Sequence, residues 1–168
     1  MGEKINILSL VTKGTGAPDY SVISAGTFQS IGSLPTVRSA FTYGSYTIVD
    51  KNNPAIANGY ITTVQIYSVI QMTSVAVGIF SAAGDNLTTR DYVTIGVVPE
   101  GLQKFSVNLQ VNTGDYIGIY FAGGRLYRDV SIGAGYWYIS GNYISCIGQA
   151  FTSASPRAIS LYGTGTRT

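Results

Sequence analysis

Side chains able to do chemistry are few in this chain and stand far apart. There is no histidine, and Cys146 is the single cysteine, so neither a Ser–His nor a Cys–His nucleophile pair can be assembled, and the usual proton shuttle near neutral pH is missing. The acids are Glu3, Asp19, Asp50, Asp85, Asp91, Glu100, Asp115 and Asp129. Two carboxylates held at a set separation across a fold can cleave a glycosidic bond, but no spacing here points to such a pair. Asp85 and Asp115 adjoin glycine in turn-like stretches, where a carboxylate ordinarily accepts backbone N–H groups. Asp50-Lys51-Asn52-Asn53 and Asp85-Asn86 offer the oxygens that hold Ca²⁺ in loops. Both lack the acid density of a dedicated site, and Lys51 opposes the first. The expectation is a protein that is not an enzyme, with no catalytic residue, metal site or cofactor.

Aromatic residues carry more information. Thirteen tyrosines stand against six phenylalanines, and tyrosine offers apolar area with a polar tip for water or a partner. The densest cluster is Tyr136-Trp137-Tyr138 followed by Tyr143. In a strand Tyr136 and Tyr138 face one way and Trp137 the other. If exposed, Tyr136, Trp137, Tyr138 and Tyr143 would stack on sugar rings or anchor a protein interface. If buried, Trp137 is core and the tyrosines cover sheet edges. Arg125 and Arg128, separated by Leu126 and Tyr127, read as a solvated strand or turn edge. The net charge of +2 lacks the dense basic face that nucleic acid demands, so no nucleic-acid partner is expected. Gly123-Gly124 and Gly133-Ala134-Gly135 read as hairpin and loop glycines, because no helix follows to make a phosphate cradle.

The elements that must position these residues are strands. Period-two alternation, punctuated by Gly, Asn and Asp, predicts strands over Tyr60 to Ile70, Val75 to Phe80, Tyr92 to Val98, Phe105 to Val111 and Tyr116 to Phe121. Further strands are predicted around Leu126 to Val130, Tyr136 to Ser140, Tyr143 to Gln149 and Arg157 to Tyr162. In the first run Tyr60, Thr62, Val64 and Ile66 share one face, with Ile61 on the other. Ile117, Ile119 and Phe121 point inward, with Tyr116 and Tyr120 opposite. Cys146 reads as a small apolar core residue. Roughly ten short strands without a helix predict an all-β fold, an antiparallel β-sandwich of jelly-roll type. Residues 1–26 differ: a strand predicted over Ile5 to Val11 precedes a Gly- and Pro-bearing linker. This segment reads as an arm whose Ile5, Ile7, Leu8, Leu10 and Val11 would mediate assembly, with residues 27–168 as the sandwich.

Charged residues make up 11% of the chain, against roughly 25% in an average soluble protein. Hydroxyls, amides and glycines must cover the surface in their place. Little charge then has to be desolvated when copies meet, which suits an assembly subunit or a sugar-facing protein. No stretch has the length of a signal peptide's apolar region or of a membrane span, and Asn6 breaks the myristoylation pattern after Gly2. Synthesis in the cytoplasm and no membrane partner are expected. Asn86-Leu87-Thr88 matches a glycosylation sequon but is read as a turn.

The segments Asn53-Pro54-Ala55, Thr89-Arg90-Asp91-Tyr92, Gly114-Asp115-Tyr116-Ile117-Gly118-Ile119-Tyr120-Phe121 and Ser160-Leu161-Tyr162-Gly163-Thr164-Gly165 resemble a β-sandwich module. It recurs in tailed-phage structural genes and in metagenomic proteins, and is similar to head-decoration or fibre proteins. The resemblance covers about residues 27 to 165 and brings no catalytic residue with it. It implies an oligomeric virion component attached to a capsid or tail, made in a host cytoplasm and residing on the virion or an extracellular particle. Its partners would be copies of itself and other virion or surface-assembly proteins. The expected function is a non-enzymatic structural subunit docking by its N-terminal arm. The alternative is a carbohydrate-binding module that uses the aromatic cluster.

Overall fold

A computed structural model describes residues 28–168, which are all-β. The arm at residues 1–26, with Ile5, Ile7, Leu8, Leu10 and Val11, lies outside the described residues. The strands are β1 (Phe28–Gly32), β2 (Ala40–Tyr43), β3 (Tyr46–Asp50), β4 (Gly59–Ala83), β5 (Asn86–Val98), β6 (Gly101–Val111) and β7 (Tyr116–Phe121). They continue as β8 (Gly123–Asp129), β9 (Tyr136–Ser140), β10 (Gln149–Ala150), β11 (Thr152–Ala154), β12 (Ala158–Ile159) and β13 (Leu161–Arg167). Hydrogen bonding follows the path β1-β13-β4-β7-β3-β9-β11, with the remaining strands branching from β4, β5 and β8. The pairs are antiparallel and form a β-sandwich-like arrangement of two layers. One layer holds β1, β13, the first half of β4, β6, β8, β2 and β12. The other holds the second half of β4 with β5, β7, β3, β9, β11 and β10.

β4 is a correction to the sequence reading. Tyr60 to Ile70 and Val75 to Phe80 belong to one 25-residue strand that passes from one layer to the other. Its register shifts repeatedly between Ser68 and Ala76, and Ser74 sits at φ 53°, so the strand bends without losing its partners. β5 and β6 follow it in the opposite direction and bend at Pro99-Glu100, next to Gly101 at φ 90°. A smaller irregularity lies between Ile61 and Thr63, where β4 takes two steps against one of β13. It turns Ile61 inward beside Val64 and Ile66, where strict alternation had set it on the opposite face.

The main core lies between the layers and contains Val75, Val77, Ile79, Leu109, Val111, Ile117, Ile119 and Phe121, the faces expected from their alternation. A second, smaller core covers the outer side of the second layer, built from Val49, Ala76, Phe80, Leu87, Trp137, Ile144 and Phe151. Cys146 is half-buried against it. Its lid is the stretch 141–151, and this corrects the strand expected over Tyr143 to Gln149: only Gln149 and Ala150 pair, with Leu87 and Asn86. Threonine side chains satisfy the backbone there instead. Thr47 Oγ1 accepts the Tyr143 N–H at 2.8 Å, while Thr89 Oγ1 donates to the Ile144 carbonyl and accepts the Cys146 N–H, both at 2.9 Å.

Gly118 lets the two cores lie back to back. A Cβ there would stand 2.7 Å from Val49 Cγ2, 2.8 Å from Phe80 Cε2 and 2.9 Å from the Ile48 carbonyl oxygen. Gly118→Ala is therefore expected to destabilise the fold by about 1–3 kcal/mol through overpacking, read as a lower urea midpoint with an unchanged slope.

Candidate functional site

The alternation of β9 splits the aromatic cluster between the two sides of its layer. Tyr136 and Tyr138 face inward, where β3 sets Asp50 opposite Tyr136 and Ile48 opposite Tyr138. Beside them the sandwich opens into a cleft of about 320 Å³, lined also by Phe41, Thr42 and Tyr43 of β2, Tyr46 of β3, Arg128 of β8, Ala154 of β11, and Arg157. Strands from both layers thus contribute, so the cleft lies at a lateral seam between them. Tyr138 meets Tyr46 and Tyr136 edge to face, with centroids 6.3 and 5.9 Å apart, the arrangement that ring quadrupoles favour. Tyr136 is buried and Tyr46 is 38% exposed, so Tyr46 offers the more open ring surface.

Two guanidinium groups complete the lining. Arg128 donates from Nε to the Phe41 carbonyl at 2.8 Å and from Nη1 to the Tyr136 hydroxyl at 3.1 Å, which couples the two layers at the seam. Arg157 donates from Nη1 to the carbonyls of Val130 and Pro156 at 2.8 and 2.7 Å. Its Nε is buried with no hydrogen-bond partner among the described residues. The lining contains no carboxylate. Rings, phenol hydroxyls and fixed cations are groups that hold and orient a ligand.

Trp137 and Tyr143 do not join this cleft. Trp137 is buried in the second core, edge to face with Tyr116 at 4.9 Å. Its Nε1 donates to Asp85 Oδ1 at 2.8 Å, and the Lys51 ammonium stands 4.2 Å from the ring centroid. Tyr143 is half-buried against the same cluster. Sequence reasoning missed Phe41, Tyr43 and Tyr46, whose signal was the alternation of Ala40 to Tyr43 and Tyr46 to Asp50. It also missed Arg157 and read Arg128 only as an edge charge.

The acids singled out in the sequence hold loops together. Asp115 accepts the Asn112 N–H at 2.7 Å and pairs with Arg90, a backbone cap with a cation added. Asp85 uses its carboxylate on Trp137, and the Phe151 N–H goes instead to its backbone carbonyl at 2.9 Å. Asp50 accepts N–H bonds from Ser33 at 3.1 Å and Asn52 at 3.0 Å, with a further bond from the Asn52 amide. Asn52 Oδ1 accepts the Ala134 N–H at 2.6 Å. Burial pushes the Asp50 carboxyl above its ordinary range, against the opposing pull of its hydrogen bonds to Ser33 and Asn52.

A second depression of about 680 Å³ lies on the outer side of the second layer. Tyr92, Thr94 and Val97 of β5 and Tyr120 of β7 line it together with Ala76, Asn142 and Ile144, and no charged side chain does. No protein-family model matches the chain, and neither a curated protein nor a solved structure does.

Proposed function

We propose that this chain is a non-enzymatic structural subunit of a virion-like assembly, a capsid-decoration or tail/fibre component. It self-associates and docks through residues 1–26, and its body is a sandwich of jelly-roll type. The observation that carries this reading is the position of β1. Among the described residues β1 pairs only with β13, so the arm joins the body at a strand whose other edge has no strand partner among the described residues. Unpaired N–H and C=O groups on such an edge accept a strand from a neighbour. Phe28, at the junction, is 60% exposed. The low charge of the chain, 11%, keeps the desolvation cost of packing copies together small. The partners are copies of the chain and other proteins of the particle.

Light scattering of the full-length protein and of a form lacking residues 1–26 tests this. A discrete oligomer that falls to monomer on truncation is the expected result. Equal masses for the two forms would remove the arm from the mechanism.

The cleft favours a second reading, carbohydrate binding. Tyr46, Tyr136 and Tyr138 supply ring surface beside the Arg128 and Arg157 donors, a combination that suits the C–H faces and hydroxyls of a sugar. The two readings are compatible, since a particle subunit can carry a glycan site.

A further inference from the structure

We infer that the seam cleft takes an acidic sugar, a pyranose bearing a carboxylate, held by Arg128 and Arg157 against the Tyr46 and Tyr138 rings. The inference rests on the carbohydrate reading of the cleft and adds the charge of the ligand.

A guanidinium carries five N–H groups in a rigid fork. Arg128 commits Nε and Nη1 to protein acceptors, and Arg157 commits only Nη1. Neither Nη2 meets an acceptor among the described residues, and the buried Arg157 Nε has none either. The two Nη2 groups are therefore the donors left for an arriving anion, and hydrogen bonds between a guanidinium and a carboxylate are among the strong ones.

The neighbouring acids are engaged elsewhere. Asp129 follows Arg128 in sequence but pairs with Arg38. Asp50 lies opposite Tyr136 across the strand pair, and its oxygens are occupied by Ser33 and Asn52. Two cations therefore face the cleft with no carboxylate in its lining. A neutral sugar would leave that charge unused, whereas a carboxylate matches a guanidinium fork in shape as well as sign. The volume of about 320 Å³ is at the lower end of small-ligand sites, about 300–1,000 Å³, and suits one or two sugar rings.

Calorimetric titration of the full-length protein with methyl glucuronide and N-acetylneuraminic acid, against methyl glucoside, tests the inference. The acidic sugars are expected to bind about tenfold or more tighter than the glucoside. Arg157→Gln is expected to remove most of that preference, and Tyr92→Ala, in the uncharged depression, to leave it intact. Arg128 also bridges the layers, so Arg128→Lys, which keeps the charge, accompanies Arg128→Gln, with circular dichroism checking the fold of each. Equal binding of neutral and acidic sugars would overturn the acidic assignment and leave carbohydrate binding standing. No binding of any of the three would overturn both. Loss of binding in Tyr92→Ala but not in Arg157→Gln would place the ligand in the other depression and overturn the site.

Discussion

Trp137→Ala is expected to lower the stability of the fold by about 3–5 kcal/mol, a large share of the roughly 5–15 kcal/mol that holds a typical domain. Trp137 is 6% exposed and packs against Tyr116 within the second core. Truncation would open a cavity beneath the 141–151 lid and loosen Phe151 and Ile144 with it. Urea unfolding followed by circular dichroism is the measurement, because the variant has lost the chain's one tryptophan. Trp137→Phe keeps most of the ring and loses only the bond to Asp85, which is solvent-exposed and can turn to water. Its cost should be nearer 1 kcal/mol. A stable Trp137→Ala protein with altered sugar binding would instead return this residue to the ligand site. In the present geometry its fluorescence reports on the second core, so a sugar entering the seam cleft should leave the emission nearly unchanged.

Alternation carried the sequence reading wherever the ladder is regular. Ile117, Ile119 and Phe121 point into the main core while Tyr116 and Tyr120 cover the second, because β7 is paired on both sides without a break. Period two fails at Ile61, where β4 takes two steps against one of β13. It also fails to show that β4 is continuous, since the positive φ at Ser74 has no signature in a residue type that usually avoids it. The 141–151 lid looked like a strand because Tyr143 to Ile147 is rich in strand formers. Its backbone is held by the side chains of Thr47 and Thr89 and by the Thr89 N–H on the Cys146 carbonyl, partners that only the folded chain brings near. The candidate site divides in the same way. That Tyr136 and Tyr138 share a face was legible; that this face opens toward Arg157 and Tyr46 depends on how the layers meet.

The other large effect is expected at Asp129. Its side chain and that of Arg38 are 12% and 7% exposed and form an ion pair. Arg38 also donates to Ser160 Oγ at 2.9 Å and to the Leu34 carbonyl at 2.7 Å, so the pair ties the β1–β2 connection to β8. Asp129→Ala leaves a buried guanidinium without its counter-charge, which typically costs about 3–5 kcal/mol. Exchanging both partners, Arg38→Met with Asp129→Leu, should cost far less than the single changes imply, and a double-mutant cycle measures the difference. The pair also carries a pH signature. Burial alone would raise the Asp129 carboxyl, but the Arg38 guanidinium and the Ser39 N–H and hydroxyl outweigh it and hold the carboxyl below its ordinary range. A folded value below the unfolded one, about 3.9, stabilises fully above the unfolded value and is lost as pH falls through the folded one. Asp50 works in the opposite sense: its raised carboxyl favours the folded state at low pH, and that advantage is lost as pH rises through its folded value. The gap in urea midpoint between the native protein and Asp129→Asn should therefore be widest at neutral pH and close as the pH falls below the ordinary carboxylate range. A gap that stays constant with pH would mean that the pair acts through packing and hydrogen bonds alone, with no contribution from its charge.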